Sequence, residues 1–545
     1  MLPSLVNELT RDTVTVSLPL AWPELVLAAT VVAVLLVRVP PVLRRIDPFW
    51  VALAGASLAA GLTFAEAPNG LSGVERQELF TGMLVHDGVG VLSRGLLLGF
   101  AAVFVLLAKA TGLASRDDGQ DLYALLFGAT LGMCLMCRAN HLMTVFLAVE
   151  MASVPSYVLV GIVKGRRRAG EAALKYSVYG AAAAGVMLYG VSLLAGVTGT
   201  AHLPTLGERL AEIVTGGEAG GVAMTLAIAG VLVSVGLAFK LSAVPFHFWA
   251  PDVFAGAPAE VGAFLSVASK AAALVLVVRL VAALAPHDPL LAAEADGVAA
   301  AILPVATSTV EPSGGDGVRQ FVATLVAVIA GVTCTFGNLA ALGQTNAKRL
   351  LAYSTIAHAG YLLMPIAAAV ALAADDPIAA NTAAAAMGFY AIGYGLMNSA
   401  AFVCVAVLRN TRGTETIADY AGLIRTAPIA AVTLSIAVLG LLGLPPLVGF
   451  VGKLAALRSL ATAGGPVMTT LLVVAVLNTA LSLVYYLRVV KTVCLDEPAE
   501  TALPRRPTPG GRWVLACLAV PIVLMGIAPE WLASATAQAC AGLFG

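Results

Sequence analysis

Charge is what this sequence has least of. Only 11% of its 545 residues are Asp, Glu, Lys or Arg, and 31 acidic residues cancel 31 basic ones. Soluble domains carry about 25% charged residues. With 59% apolar residues and a mean hydropathy of +0.93, the chain has too little polar surface for a water-soluble globule. The zero net charge offers no large basic surface, so nucleic acid is not an expected partner. Cysteine is sparse as well: seven residues, six of them in or beside apolar runs, with no two pairs at zinc or cluster spacing. Cys134-Leu-Met-Cys137 has the CxxC pattern on an apolar helix and lacks an aqueous partner motif. No CxxCxxC run, no glycine-rich loop after a strand and no pair of haem-spaced histidines is present, so the chain has no redox centre or nucleotide site of its own. Residues 1–20 mix Glu8, Arg11 and Asp12 with short apolar pieces and do not read as a cleaved signal peptide.

What the chain has is apolar runs. A bilayer core needs about 20 apolar residues per helix. In order, the runs predict spans at 23–43, 48–65, 85–109, 121–137, 140–163, 171–198, 221–254, 258–285, 320–342, 348–373, 383–408, 428–463, 467–490 and 512–533. That is an all-α integral membrane protein of about fourteen helices, without strands. The span 221–254 is broken at Pro245, and 428–463 at Pro445 and Pro446. Alternate loops differ in basic content. One set carries Arg44, Arg45, Arg116, Lys164, Arg166, Arg167, Arg168, Lys348, Arg412 and Lys491 among others; the other has only Arg11, Arg76, Arg138, Arg209 and Arg319. The first set is expected in the cytoplasm, which places both termini outside. Spans four to eight and nine to thirteen form two blocks of five, each with a broken fourth member. An odd block starts its copy from the opposite face, the inverted repeat of transporter folds. The implied division is 1–120, 121–286, an outer insert at 287–319, 320–493 and 494–545. The stretch 304–319 is polar and rich in Gly, Pro and Ser, and reads as a flexible loop.

Ionisable residues inside spans are the functional candidates, because burying them is costly. Lys240 and Lys453 belong to the two broken spans, Lys270 to the span between them and Glu150 to the fifth. A direct Glu150–Lys240 ion pair would keep both charged, either as part of a proton path or as a static structural pair. Lys270 is the natural central relay. His247 and His358 either extend the path or are satisfied core residues. Lys175, one turn into the sixth span, either joins them or reaches the interface. Asp87 and Arg94, seven apart in the third span, read as a structural pair, and Arg279 as a residue that snorkels outward.

The stretches FKLSAVPFHFWAPDVFAGAP with FLSVASKAA, NLAALGQTNAKRLLAYSTIAHAGYLL, EAALKYSVYGAAAAGVMLYG and GLPPLVGFVGK closely resemble the subunit-N family of bacterial NADH:quinone oxidoreductase, respiratory complex I. The resemblance covers roughly residues 85 to 493. It implies an antiporter-like subunit of the inner-membrane arm, with two half-channels for protons joined by a hydrated axis. It assigns proton translocation to Glu150, Lys240, Lys270 and Lys453. It implies sister antiporter-like subunits and lipid as partners, with NADH, FMN, iron–sulfur clusters and quinone held by other subunits. Two features depart from the family pattern: Glu260 stands where a second proline is common, and the 286–319 insert is long. Two other readings remain open, a cation/proton antiporter or membrane-bound hydrogenase-type subunit, and a scaffold in which the lysines are packing charges.

Overall fold

The structure is a computed structural model that describes residues 10–40, 45–114, 119–215, 219–284, 315–498 and 509–544. Helices dominate, as backbone polar groups in hydrocarbon must be satisfied within their own segment. They are α1 (Trp22–Leu36), α2 (Pro48–Ala65), α3 (Gly88–Thr111), α4 (Gly119–Arg138), α5 (Leu142–Val160), α6 (Arg167–Thr198), α7 (Leu203–Thr215), α8 (Ala219–Leu241) and α9 (Trp249–Gly256). There follow α10 (Ala259–Ala282), α11 (Gly315–Leu342), α12 (Ala347–Leu372), α13 (Pro377–Arg412), α14 (Pro428–Leu442), α15 (Val448–Ala463), α16 (Gly465–Cys494), α17 (Pro509–Ile527) and α18 (Glu530–Cys540). Among the described residues thirteen helices are long and apolar enough to cross a bilayer. The remaining predicted span, 428–463, is the pair α14–α15, each half too short alone.

Several starts are written locally. Asp87 caps α3 by accepting from the Gly90 N–H at 2.7 Å, and Asn346 caps α12 by accepting from the Arg349 N–H at 3.1 Å. Close approach is written in glycine. At Gly337 of α11 a Cβ would lie 2.4 Å from the Ala357 nitrogen, and at Gly360 of α12 one would lie 2.5 Å from the Cys334 nitrogen. The two helices therefore pack backbone to backbone. At the centre, α10, α12 and α13 are buried along nearly their whole length. Helices shielded on all sides by other helices are where polar side chains can be kept.

The structure corrects the sequence reading in several places. The first break comes before its proline: α8 stops at Leu241, Ser242 turns with φ +56°, and helix resumes at Trp249. Lys240 is thus the penultimate residue of its half-helix, not five residues short of the break. A two-stranded ribbon, β1 (Gln77–Leu79) with β2 (Leu84–His86), occupies the start of the predicted third span. The loop predicted at 199–220 contains α7, whose Leu203, Leu206 and Leu210 are buried while Arg209 and Glu212 pair in the open. Helix α11 begins at Gly315, inside the stretch read as flexible; the rest of that insert lies outside the described residues. The last predicted span is two helices, α17 and α18.

Asp87 pairs with Arg279, not Arg94. Two bonds of 2.7 and 2.8 Å hold the Arg279 guanidinium, so it is a buried clamp between α10 and α3 and does not snorkel. Arg94 instead donates to both oxygens of Glu24, at 3.0 and 3.2 Å, and to Glu66. Arg138 completes this cluster, 3.2 Å from Glu24, with His86 beside Glu66 at 3.6 Å. Five elements meet there, so the N-terminal helices are locked to the rest by buried charge.

Candidate functional site

Lys240, Lys270 and Lys453 are 2%, 1% and 5% exposed, which rules out snorkelling for all three. Each ammonium has one protein acceptor, and none is a carboxylate. Lys240 donates to Ser153 Oγ at 3.0 Å, Lys270 to the Thr355 carbonyl at 3.1 Å, and Lys453 to the Leu442 carbonyl at 2.9 Å. Leu442 is the last residue of α14, so Lys453, on α15, caps the carbonyl end of the other half of its broken helix. Such ends carry carbonyls without helical partners.

Helix α12 joins the second and third lysines. Ser354, Thr355, His358 and Tyr361 stand three and four apart and share one face. Beside Thr355, Tyr394 Oη donates to Thr355 Oγ1 at 3.1 Å and accepts from Asn398 Nδ2 at 3.0 Å; the same amide nitrogen donates to Ser266 Oγ at 2.6 Å. One turn on, His358 has Tyr390 Oη 2.7 Å from Nδ1 and Tyr486 Oη 3.2 Å from Nε2, and Tyr486 also meets Ser354 at 2.6 Å. Another turn on, the Lys453 ammonium lies 4.6 Å from the centre of the Tyr361 ring, whose hydroxyl meets Thr479 at 2.8 Å. A row of hydroxyls, an imidazole and an amide thus runs from Lys270 to Lys453.

Sequence reasoning singled out the lysines and His358 but missed Ser153, Thr355, Tyr361, Tyr390, Tyr394, Asn398 and Tyr486. The signal was present as polar residues at helical spacing in YSTIAHAGY and YAIGYGLMN. The expected direct Glu150–Lys240 pair is not formed within 4.0 Å; Ser153 takes the ammonium instead. Ser153 stands one turn after Glu150 on the same side of α5 and is the more deeply buried of the two. Glu150 is half-buried beside the exposed Leu147, Met151 and Val154. His247 is buried between Phe248 and Phe336, each 4.3 Å away, and its Nδ1 has no hydrogen-bond partner. It does not join the row. Lys175 lies outside it as well, in a half-exposed cluster with Glu171 and Asp252, both at 2.9 Å. Arg349 reaches the other oxygen of Asp252 at 3.2 Å. Among the described residues no hydrogen bond joins the Lys240–Ser153 pair to the Lys270 network.

The model of the NADH:quinone oxidoreductase/Mrp antiporter transmembrane family matches residues 139–293 and 285–479. This chain belongs to that family. NADH-quinone oxidoreductase subunit N of Anaeromyxobacter sp. strain Fw109-5 is 39% identical over 485 residues, 87% of each chain. NAD(P)H-quinone oxidoreductase subunit 2 of Synechococcus elongatus is 36% identical over 465 residues, 85% of this chain and 80% of that one. A chain of respiratory complex I from Thermus thermophilus superimposes with TM-score 0.70 at 31% identity, covering 95% of this chain and 100% of its own. A chain of the Mrp complex from Dietzia sp. shares the fold, TM-score 0.74, at 21% identity over 97% and 98% of the two chains. The family is a multi-pass membrane family, and every one of the long helices above fits that setting.

Proposed function

We propose that this chain is the subunit-N component of a proton-translocating NADH:quinone oxidoreductase, sited in the bacterial cell membrane beside sister antiporter-like subunits. Protons cross through it, and electrons pass through partner subunits that hold NADH, FMN, iron–sulfur clusters and quinone. The observation that carries this reading is the row from Lys270 to Lys453, three titratable side chains each at most 5% exposed, with hydroxyls standing between them. Lysine and histidine exchange protons, and hydroxyls both donate and accept, which is what relay requires. Glu150 and Lys240 form the other half of the path, with Ser153 holding the Lys240 ammonium one turn from Glu150. Lys175 and His247 lie beside this route without a bond to it.

The blocks at 121–286 and 320–493 act as two inverted repeats, each with a lysine at the break of its interrupted helix. The face carrying Arg166, Arg167 and Arg168 is cytoplasmic, and both termini lie outside. An antiporter working without a dehydrogenase is the second reading, favoured by the fold shared with the Mrp complex; the higher identity to oxidoreductase subunits favours the first.

Lys270→Ala in the assembled complex, in sealed membrane vesicles, is the test. NADH-driven acidification and quinone reduction should fall together, because Lys270 stands at the head of the row, between it and the Lys240 half of the path. Unchanged pumping at normal assembly would overturn the reading.

A further inference from the structure

The helix that carries Lys270 has an ion pair at each end, and the two are built differently. At one end Arg279 and Asp87 are locked by two bonds of 2.7 and 2.8 Å. At the other end Glu260, in the first turn of α10, has a side chain with 0% exposure. Its Oε1 is 3.5 Å from Arg409 Nη2, the limit of a hydrogen bond, and its Oε2 has no partner among the described residues. A buried charge pair kept for structure needs its remaining lone pairs satisfied. This one is left half-made.

The cations around it are already engaged. Lys348 of α12 donates to the Ala257 carbonyl at 2.9 Å and pairs with Glu415 at 2.9 Å. Arg409 of α13 also donates to its neighbour Asn410 at 3.2 Å. Glu260, Glu415, Lys348 and Arg409 therefore make a charge-balanced group, in which protonating Glu260 frees Arg409 toward Asn410. The group sits on the basic face of the molecule, where Gly256 packs against the backbone of Arg168.

Farther along α10 lies a second set of under-used polar atoms. Ser269 Oγ, Asn398 Oδ1 and Ser399 Oγ are buried without partners, and Ser266 is bonded to Asn398. Buried polar atoms left unpaired by protein are where ordered water binds. Ser266 is six residues from Glu260, about 9 Å along the helix, and Lys270 is ten residues away, about 15 Å. Phe402 and Phe254 press on the backbone at Gly262 between them, forming an apolar layer.

We propose that Glu260 is the carboxylate that takes protons from the basic face and loads Lys270, through water held at Ser266, Ser269, Asn398 and Ser399. The aromatic layer separates the loading group from the relay. No bond other than O–H and N–H is made or broken: a proton leaves bulk water for the carboxylate and then passes to the Lys270 amine. This rests on the proton-carrying role proposed above for Lys270.

The experiment uses the whole complex in sealed vesicles, with NADH-driven pumping and quinone reduction normalised to assembled complex. Glu260→Gln should slow both by roughly tenfold, less than the 10²–10⁴ attributed to a lost proton-transfer group because other steps share control of turnover. Its rate should climb as pH falls, since protons must then arrive directly from solvent, whereas the parent changes little over the same range. A structural role would lower assembly and leave the pH profile per complex alone. If Glu260→Gln fails to assemble, Glu260→Gln with Arg409→Gln, which leaves neither charge buried alone, is read by the same criteria. An unchanged rate and profile in whichever variant assembles overturns the proposal, as does failure of both to assemble. Lys270→Ala run in parallel separates the two ideas. Normal pumping there removes the relay itself, while a slow Lys270→Ala beside a normal Glu260→Gln removes only the loading role.

Discussion

Replacing Arg94 with leucine should open the N-terminal helices, and the structure sets the size of the effect. The Arg94 guanidinium is fully enclosed, with 0% side-chain exposure. It bonds Glu24 of α1 through both oxygens and Glu66 at the end of α2. Without it Glu24 keeps Arg138 at 3.2 Å, but Glu66 is left with His86, 3.6 Å away. That imidazole cannot compensate. Burial, then the Arg138 and Arg94 charges, push it down to about 4 in the parent, and burial and Arg138, the two larger causes, remain in the variant to keep it neutral near pH 7. Arg94→Leu therefore strands one buried carboxylate, a loss of about 3–5 kcal/mol. At about 1.4 kcal/mol per decade, the opening equilibrium of α1 and α2 rises by roughly two to four decades. Amide hydrogen exchange reads this directly, since α1 and α2 open as a local unit when their tie is cut. Faster exchange should be confined to residues 22–36 and 48–65. Adding Glu66→Gln, which removes the stranded charge, should restore a large part of the protection. Exchange within twofold of the parent, or a double variant no better than Arg94→Leu alone, would refute the claim that this cluster holds the N-terminal helices.

Three further outcomes are expected. Tyr394→Phe deletes the oxygen that joins Asn398 to Thr355; the complex should assemble at a cost of about 1–3 kcal/mol, with NADH-driven pumping lowered several-fold, and full pumping would take Tyr394 out of the path. Because the folded His86 titrates at about 4 and a free histidine at about 6.5, stability from this region is fully present above pH 6.5. It is lost as pH falls toward 4, by at most about 1.4 kcal/mol per pH unit. Hydrogen exchange at residues 77–86 should show that slope, and His86→Asn should flatten it. Reporter fusions after Arg168 and after Gly413 should both read cytoplasmic, and an outside signal at either would reverse the orientation.

The number and order of spans are legible in the sequence because hydrophobic length is a one-dimensional property. The buried lysines are legible for the same reason: a lysine deep in an apolar run stands out. Partner choice is not. Arg94 and Asp87 are near in sequence, yet their partners are Glu24 and Arg279, 70 and 192 residues away. Nothing local distinguishes those from the near pair. The hydroxyl and amide residues of the row escape notice because a serine, threonine or tyrosine is ordinary in a membrane helix, and only packing decides which ones face each other. The break at Ser242 is hidden by the stronger signal of Pro245, since a left-handed residue that is not glycine has no reliable letter. Glu150 illustrates a finer limit. Its depth and the face it shares with Ser153 are readable from spacing, and packing alone decides which of the two takes the Lys240 ammonium.

The three lysines share a design that explains why each is held so lightly. An ammonium has three donors, and in this chain Lys240, Lys270 and Lys453 each spend one on protein. Two acceptors are backbone carbonyls and one is a hydroxyl. A carboxylate in contact would fix the charge, because separating a buried pair costs about 3–5 kcal/mol. The chain does use such pairs, at Arg94 and Arg279, where it needs fixed joints. Along the axis it uses neutral acceptors instead, which is what the proposed proton path requires: a lysine that gave up its proton would strand no anion in contact with it. The breaks serve the same end. Lys240 sits in the last turn of α8, and Lys453 reaches the last carbonyl of α14. Both cations are therefore at the carbonyl end of a half-helix, where the helix dipole favours positive charge by about 0.3–1 kcal/mol in exposed cases and up to ~2 kcal/mol when partly buried. That is enough to offset part of the burial cost and too little to trap a proton. Fixed pairs at the edges and lightly held lysines at the centre are what the proposed proton path needs and a scaffold does not.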